Sequence, residues 1–152
     1  MSAKITSLLG ADIYQSDLEL FTACRWLNDS CINYCFRRME KDGDIPKHFL
    51  LMDPAVVAFM RLQCDNDDEF AELASGIELK DRIWLFIPVN DCSSFEALSN
   101  HWSFLLFHTP TGKSFHFDSL GGYNNNAAVS TSSRILRCLL RWVAIYLRTF
   151  SI

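Results

Sequence analysis

The chain has 152 residues, of which 49% are hydrophobic, and its formal net charge is −4. This length and composition predict one folded domain with a core and exclude an intrinsically disordered chain. The acidic balance argues against nucleic acid as the main partner. No apolar run approaches the roughly 20 residues that a membrane-spanning helix needs.

Six cysteines occur without a CxxC pair, and the N-terminus has no long apolar stretch of the secretory type. This usage predicts reduced thiols in a cytoplasmic or nuclear protein. Cys31 and Cys35 are four residues apart on a predicted helix and share one face. We interpret them as small buried hydrophobic residues and not as a metal pair. Neither a metal nor a cofactor is expected.

Helices dominate the first half of the chain. The first well-marked helix begins at Asn28 or Asp29, since both residue types favour the N-cap position, and Gly43 ends it. The next helix has Asp53 as its N-cap and Pro54 at its first position, where proline is tolerated.

Strands follow in the second half. Residues 83–89 form a continuous apolar run, which predicts a central strand covered on both faces. Residues 102–107 predict a similar strand. A turn signal at 109–113 leads to a returning strand, in which Phe115 and Phe117 alternate with His116 and Asp118, so that one face meets the core and the other does not.

A last helix is predicted to begin at residues 130–133 and to run nearly to the end of the chain. Its inward positions are Ile135, Leu139, Val143, Tyr146 and Leu147. Helices, then strands, then a helix is an α+β pattern. Because the apolar face of the last helix continues almost to the end, we expect a following strand to be missing.

The predicted hairpin brings two polar residues to one end. Folding it about the turn places His101 roughly opposite residues 118–121, because antiparallel partners have a constant index sum. Asp118 lies within that range. An imidazole beside a carboxylate is an oriented general base, which usually serves a serine or cysteine nucleophile.

Four sequence blocks together resemble one known family, the sentrin-specific proteases, which are cysteine proteases that process and remove ubiquitin-like modifiers. The deneddylase branch, which acts on the Nedd-type modifier, is the most similar. The blocks are residues 7–9 with 15–17 and 20, residues 26–29 with 32, residues 85–91, and residues 100–103 with 115–119.

The resemblance implies a papain-like cysteine-protease fold of the ubiquitin-like-protease type, with helices around a small mixed sheet. It also implies roles for six residues: His101 as the base, Asp118 as its orienting acid, Trp26 and Trp102 as the roof over a Gly-Gly tail, and Asn28 and Asp29 as tail contacts or helix start. Two glycines carry no Cβ, so flat indoles can close on the tail backbone. The resemblance also implies that the chain is a monomer. Its expected partner is a ubiquitin-like modifier of the Nedd type or the SUMO type.

The chain departs from the family after Asp118. In the family, the aspartate is followed along the chain by a glutamine for the oxyanion hole and then by the nucleophilic cysteine. This chain has no glutamine after Asp118, and its only later cysteine is Cys138, inside a predicted helix. The resemblance therefore implies one domain over residues 1–152, truncated at its C-terminal end and inactive as written.

Three functions remain open. The first is a protease whose sequence is truncated, and the second is a short product that binds the modifier without cleaving it. The third is a rearranged thiol hydrolase with Cys31 as nucleophile, near a helix N-terminus that favours thiolates. Loss of the last strands would expose apolar surface, so we also expect poor solubility.

Overall fold

A computed structural model of the chain describes residues 2–23, 25–94 and 100–150. The elements in chain order are β1 (Lys4–Leu8), β2 (Ala11–Tyr14), α1 (Gln15–Thr22), α2 (Asp29–Asp42), β3 (Phe49–Leu51), α3 (Pro54–Leu62), α4 (Asp67–Gly76), a 3₁₀ helix (Leu79–Asp81), β4 (Trp84–Asn90), β5 (Trp102–His108), β6 (Lys113–Phe117) and α5 (Asn125–Phe150). These helices are too short or too polar to cross a bilayer.

The strands form a hairpin of β1 with β2 and a four-stranded sheet in the order β3-β4-β5-β6. Strand β3 runs parallel to β4, and the other neighbours are antiparallel, so this sheet is mixed. The predicted α+β class with helices around a small mixed sheet is confirmed.

The two predicted helix starts are confirmed by their caps. Asn28 precedes α2, and its side-chain oxygen accepts a hydrogen bond from the backbone N–H of Cys31 at 3.0 Å. Gly43 ends α2 in the left-handed region, at φ 80°. Asp53 caps α3 in the same way, accepting from the N–H of Ala55 at 2.8 Å. Local cap chemistry therefore sets both boundaries.

One face of the sheet forms the core. The side chains of Leu85, Ile87 and Val89 on β4 are fully buried there. They join residues of β5 and of helices α3, α4 and α5 in a single apolar cluster, which includes Val57, Met60, Phe70, Leu105, Phe107 and Ile135. Burial of this area is the main term that stabilises the fold.

The opposite face of the sheet is only partly covered, which corrects the expectation that β4 is covered on both faces. Trp84 and Phe86 on β4 are half-buried. On β6, Phe115 is 49% exposed and Phe117 is 57% exposed. The β6 face that turns towards α5 carries His116, whose ring contacts the side chain of Asn125.

Helix α5 begins at Asn125, so the predicted start at residues 130–133 is wrong. The N–H of Ala128 donates to the carbonyl of Asn124 at 3.0 Å, which makes Asn124 the N-cap. Of the predicted inward residues, Ile135 is buried and Leu139 packs against the core. Val143 is 55% exposed, because Trp142, one step around the helix, takes the inner position. The predicted inward residues Tyr146 and Leu147 lie outside the side chains that the structure describes.

Candidate active site

The β5–β6 hairpin brings His101 and Asp118 together, as its register predicts. Phe104 pairs with Phe117 in the ladder, so His101 and Asp118 leave the paired strands at the same end of the sheet. The Nε2 atom of His101 lies 2.6 Å from Oδ1 of Asp118. Both side chains are only 3% exposed. A charge-assisted hydrogen bond of this length, shielded from water, fixes the orientation of the imidazole.

Asp118 is held as a carboxylate. Burial raises the pKa of its carboxyl group, but three hydrogen bonds outweigh burial and lower the pKa to about 2. Two come from the backbone N–H groups of Asn124 and Leu120, each at 2.8 Å, and the third comes from His101. Donors that point at the ionised form favour it.

Acid is therefore expected to destabilise the chain through Asp118. The folded pKa of about 2 lies below the usual 3.8. The ionised group thus stabilises the fold at neutral pH, and this contribution is lost as the pH falls from about 4 through 2. The free energy of unfolding can be measured in urea at about pH 6 and at about pH 2.5. Its decrease between these two pH values should be smaller for Asp118→Asn than for the unchanged chain. Asp44→Asn, at an exposed carboxyl, is the control, and equal losses for Asp118→Asn and the unchanged chain would contradict the expectation.

Two aromatic rings and an acidic side chain hold His101 in place. Trp26 and Tyr123 meet its ring edge-to-face, with ring centroids 6.4 and 5.8 Å away. Oδ1 of Asp91 accepts from the backbone N–H of His101 at 3.2 Å. Since Nε2 faces Asp118, Nδ1 is the nitrogen that could exchange a proton with a reacting group. The predicted sites did not include Tyr123, an exposed aromatic in a glycine-rich loop.

Of the two tryptophans named from the sequence, Trp102 is bonded to the segment that carries Trp26. Trp26 is 61% exposed and contacts His101. Trp102 is half-buried, and its Nε1–H donates to the carbonyl of Leu27 at 2.8 Å. This bond attaches the segment that carries Trp26 to the start of β5. A flat, exposed indole beside the imidazole is thus held at a defined distance from it.

Asn28 and Asp29 have structural roles in α2. Both ends of the Asn28 amide are used within the chain, because its Nδ2 also donates to Oδ1 of Asp17 at 2.8 Å. Asp29 is half-buried in the first turn of the helix. Burial and the nearby Asp53 raise the pKa of its carboxyl group. The cap interpretation of Asn28 is confirmed, while a contact of either residue with a substrate tail stays a prediction.

Four of the thiols in the described part of the chain do not have the properties of an activated nucleophile. Cys31 is fully buried, and burial raises its pKa. Partial desolvation raises the pKa of Cys35. Burial raises the pKa of Cys64, and it raises that of Cys138 to about 11. A reactive cysteine needs the opposite shift. The structure thus argues against Cys31 as a nucleophile. The expected burial of the Cys31 and Cys35 pair is wrong for Cys35, which is exposed.

No group of three or more potential metal ligands lies together in the part of the chain that the structure describes.

A polar network that was not predicted lies behind the His101–Asp118 pair. Nδ2 of Asn124 lies 3.0 Å from Oγ of Ser103, and Nε2 of His116 lies 3.0 Å from the same oxygen. Neither His116 nor Asn124 was among the site residues predicted from the sequence. The run of three asparagines after Tyr123 was the available signal.

An apolar groove of about 430 Å³ adjoins the pair. It lies between α2 and the less covered face of the sheet, with Asp118 and Ser119 at one end. Its apolar walls are formed by Ile32, Phe36, Pro88, Trp102, Phe104 and Phe117.

The sequence matches a family described as the Ulp1 protease family, C-terminal catalytic domain, over residues 25–147. It is 26% identical over 137 residues to human sentrin-specific protease 8, covering 89% of this chain and 64% of that protein. It is 27% identical over 127 residues to NEDD8-specific protease 1 of Arabidopsis thaliana, covering 82% of this chain and 55% of that protein. The chain thus spans less than two thirds of the length of these relatives.

The fold is similar to solved structures of the same kind. The yeast Ulp1 protease domain in complex with Smt3, the yeast ortholog of SUMO, superposes with a TM-score of 0.65 at 15% identity, covering 89% of this chain and 57% of that chain. A second Ulp1 structure, with its catalytic cysteine oxidised to a sulfenic acid, gives 0.63 at 16% identity, covering 88% of this chain and 58% of that chain. At sequence identities this low, the structural similarity shows the fold alone.

Proposed function

Since the chain belongs to the Ulp1 protease family, we propose that it carries the base-bearing part of a thiol-protease site for ubiquitin-like modifiers. The observation that carries the proposal is the buried contact of 2.6 Å between His101 and Asp118. Relatives named for sentrin and NEDD8 support a modifier of the Nedd or SUMO type as the substrate class.

In this proposal His101 is the general base and Asp118 its orienting acid. The Asp118 carboxylate keeps the ring proton on Nε2, which leaves the lone pair of Nδ1 to accept a proton from a thiol. The thiolate then attacks the carbonyl carbon of the terminal glycine. The imidazolium returns its proton to the leaving amine, and Asp118 stabilises the imidazolium while it exists.

The modifier tail is proposed to pass under Trp26. This indole is exposed and perpendicular to the His101 ring, and Trp102 attaches the Trp26 segment to β5. A Gly-Gly backbone has no Cβ and fits a gap that an indole closes, whereas a tail with side chains does not fit.

We propose further that these 152 residues alone bind the modifier without cleaving it. The support is chemical. The pKa values of Cys31, Cys35, Cys64 and Cys138 are all raised, and the sequence has no glutamine after Asp118 to supply a side-chain oxyanion donor.

The preserved His101–Asp118 geometry also favours a second candidate, in which a longer product of the same gene is an active protease. Sequencing the 3′ end of the transcript separates the two candidates. An in-frame extension that encodes a glutamine followed by a cysteine in a glycine-flanked turn supports the second candidate.

Trp26→Ala is expected to weaken binding of a Gly-Gly-terminated Nedd-type modifier about tenfold or more, as is typical of a central aromatic contact. Binding can be followed by fluorescence anisotropy of a labelled modifier. Turnover can be followed with the same modifier carrying a C-terminal fluorogenic amide, and none is expected. Phe59→Ala is the matched control, because Phe59 is an exposed aromatic residue on α3.

Three results would each contradict one part of the proposal. Undetectable binding by the unchanged chain at high micromolar modifier would remove the modifier as a partner. Equal affinities for Trp26→Ala and Phe59→Ala would remove Trp26 from the tail site. Measurable turnover would contradict only the statement that the chain alone does not cleave.

A further inference from the structure

Asn124 stands at the N-cap of α5 but does not use its side chain as a cap. Asparagine is favoured at this position because its side-chain oxygen can accept from an N–H of the first helical turn. Here Oδ1 of Asn124 is buried and has no hydrogen-bond partner among the described residues. A buried acceptor without a hydrogen bond destabilises the folded chain, so the inward orientation of the side chain needs another cause.

The amide group of Asn124 points instead at the strands that carry His101. Nδ2 lies 3.2 Å from the carbonyl oxygen of Val89, 3.0 Å from Oγ of Ser103 and 3.4 Å from the carbonyl oxygen of His101. Two of these partners are carbonyls, which only accept hydrogen bonds. The NH₂ end of the amide must therefore face them.

The backbone of Asn124 holds Asp118, the second residue of the His101–Asp118 pair. The N–H of Asn124 donates to Oδ2 of Asp118 at 2.8 Å. This N–H belongs to the N-terminus of α5, where the helix dipole favours a negative charge. The side chain of Asn124 is thus bonded to the backbone carbonyl of His101, and its backbone N–H is bonded to the carboxylate of Asp118. Asn124 is only 2% exposed.

We propose that Asn124 is a positioning residue, which keeps Nε2 of His101 and Oδ1 of Asp118 at hydrogen-bond distance by attaching the start of α5 to the ends of β4 and β5. Its importance for catalysis rests on the proposed function, but its effect on the geometry of the pair does not.

Asn124→Asp and Asn124→Ser test the inference, because aspartate and serine are as good N-caps as asparagine and both lack the NH₂ group. A residue that only caps α5 would tolerate both changes. The matched controls are Asn126→Asp and Asn126→Ser, at an exposed asparagine in the first turn of α5.

The measurement is NMR of the labelled chain, with two readouts. In the unchanged chain and the controls, the ring N–H of His101 should give a downfield signal protected from exchange, and Asp118 should titrate with a pKa of about 2. In both Asn124 variants the ring signal should broaden or disappear. The pKa of Asp118 should also rise towards its usual value of 3.8. Backbone amide spectra report whether each variant is folded.

The inference is overturned if a folded Asn124→Ser variant keeps the ring signal and the Asp118 titration of the unchanged chain. If the buried aspartate unfolds the protein, the serine variant decides. Unfolding of both variants under conditions where the controls stay folded also overturns it, in favour of a general folding role. Neither readout uses a modifier, so failure of modifier binding is a separate result.

Discussion

Phe107→Ala is expected to lower the free energy of unfolding by about 3–5 kcal/mol, the range for removing a fully buried phenylalanine. Phe107 lies on β5 opposite Leu85 of β4, and it is among the largest side chains with no exposure. The loss combines the transfer of the removed atoms with the cavity that they leave. Equilibrium unfolding in urea measures it, with an unchanged slope if the folded and unfolded states stay the same.

Phe117→Ala is the matched control on the other face of the sheet. Phe117 is mostly exposed at the edge strand β6, so its removal should cost less than about 1 kcal/mol. Equal losses for the two variants would show that the Phe117 side of the sheet is covered in solution, for example by a second molecule. A soluble monomer with a cooperative melt would in turn contradict the expected poor solubility.

The two faces of the sheet illustrate what apolar patterns establish. Continuous apolar residues at 83–89 and alternation at 115–118 predicted strands, and the strands are there. The pattern could not say which face would meet the helices. On β6 the alternation separates Phe117 from His116, and the contact of His116 with Asn125 puts the less apolar side against α5. Whether a face of the sheet is covered depends on how other elements pack on it, and the residue pattern of one strand does not show this.

The start of α5 shows how local cap signals can mislead. Residues 130–133 contain three serines and a threonine, which are typical of an N-cap. In the structure, the hydroxyl of Thr131 donates to the carbonyl of Ala127 one turn earlier, at 2.8 Å. The hydroxyl of Ser132 bonds to that of Ser114 on β6. Hydroxyls can bond back along a helix as well as cap it, so their presence alone does not locate the start.

The candidate site was predictable to the extent that hairpin geometry fixes it. The proximity of His101 to Asp118 follows from antiparallel register, which needs only the position of the turn. Trp26 was named through the resemblance, since no local rule connects it to a residue so far along the chain. Asn124 was missed because a side-chain bond to distant backbone carbonyls leaves no periodic trace in the sequence.

Arg134→Met is expected to destabilise the chain by about 2–4 kcal/mol, because a charged donor to two backbone acceptors is removed. The guanidinium donates to the carbonyl oxygens of Met60 and Cys64, at 2.6 Å each. These carbonyls lie at the C-terminal end of α3, where a positive charge also complements the helix dipole. The Arg134 carbon Cζ lies 5.1 Å from the ring centre of Phe70, which adds a cation–π contact.

Methionine keeps most of the length and apolar contact of arginine and removes the donors, so the loss reports on the hydrogen bonds. Arg137→Met is the matched control, because Arg137 lies on the exposed side of α5 and meets Asp67 at 3.4 Å. An exposed pair of this kind contributes at most about 1 kcal/mol. Urea unfolding of the two variants should therefore separate them clearly. Similar values would mean that water replaces Arg134 at the end of α3. The contact of α5 with the end of α3 would then rest on apolar packing.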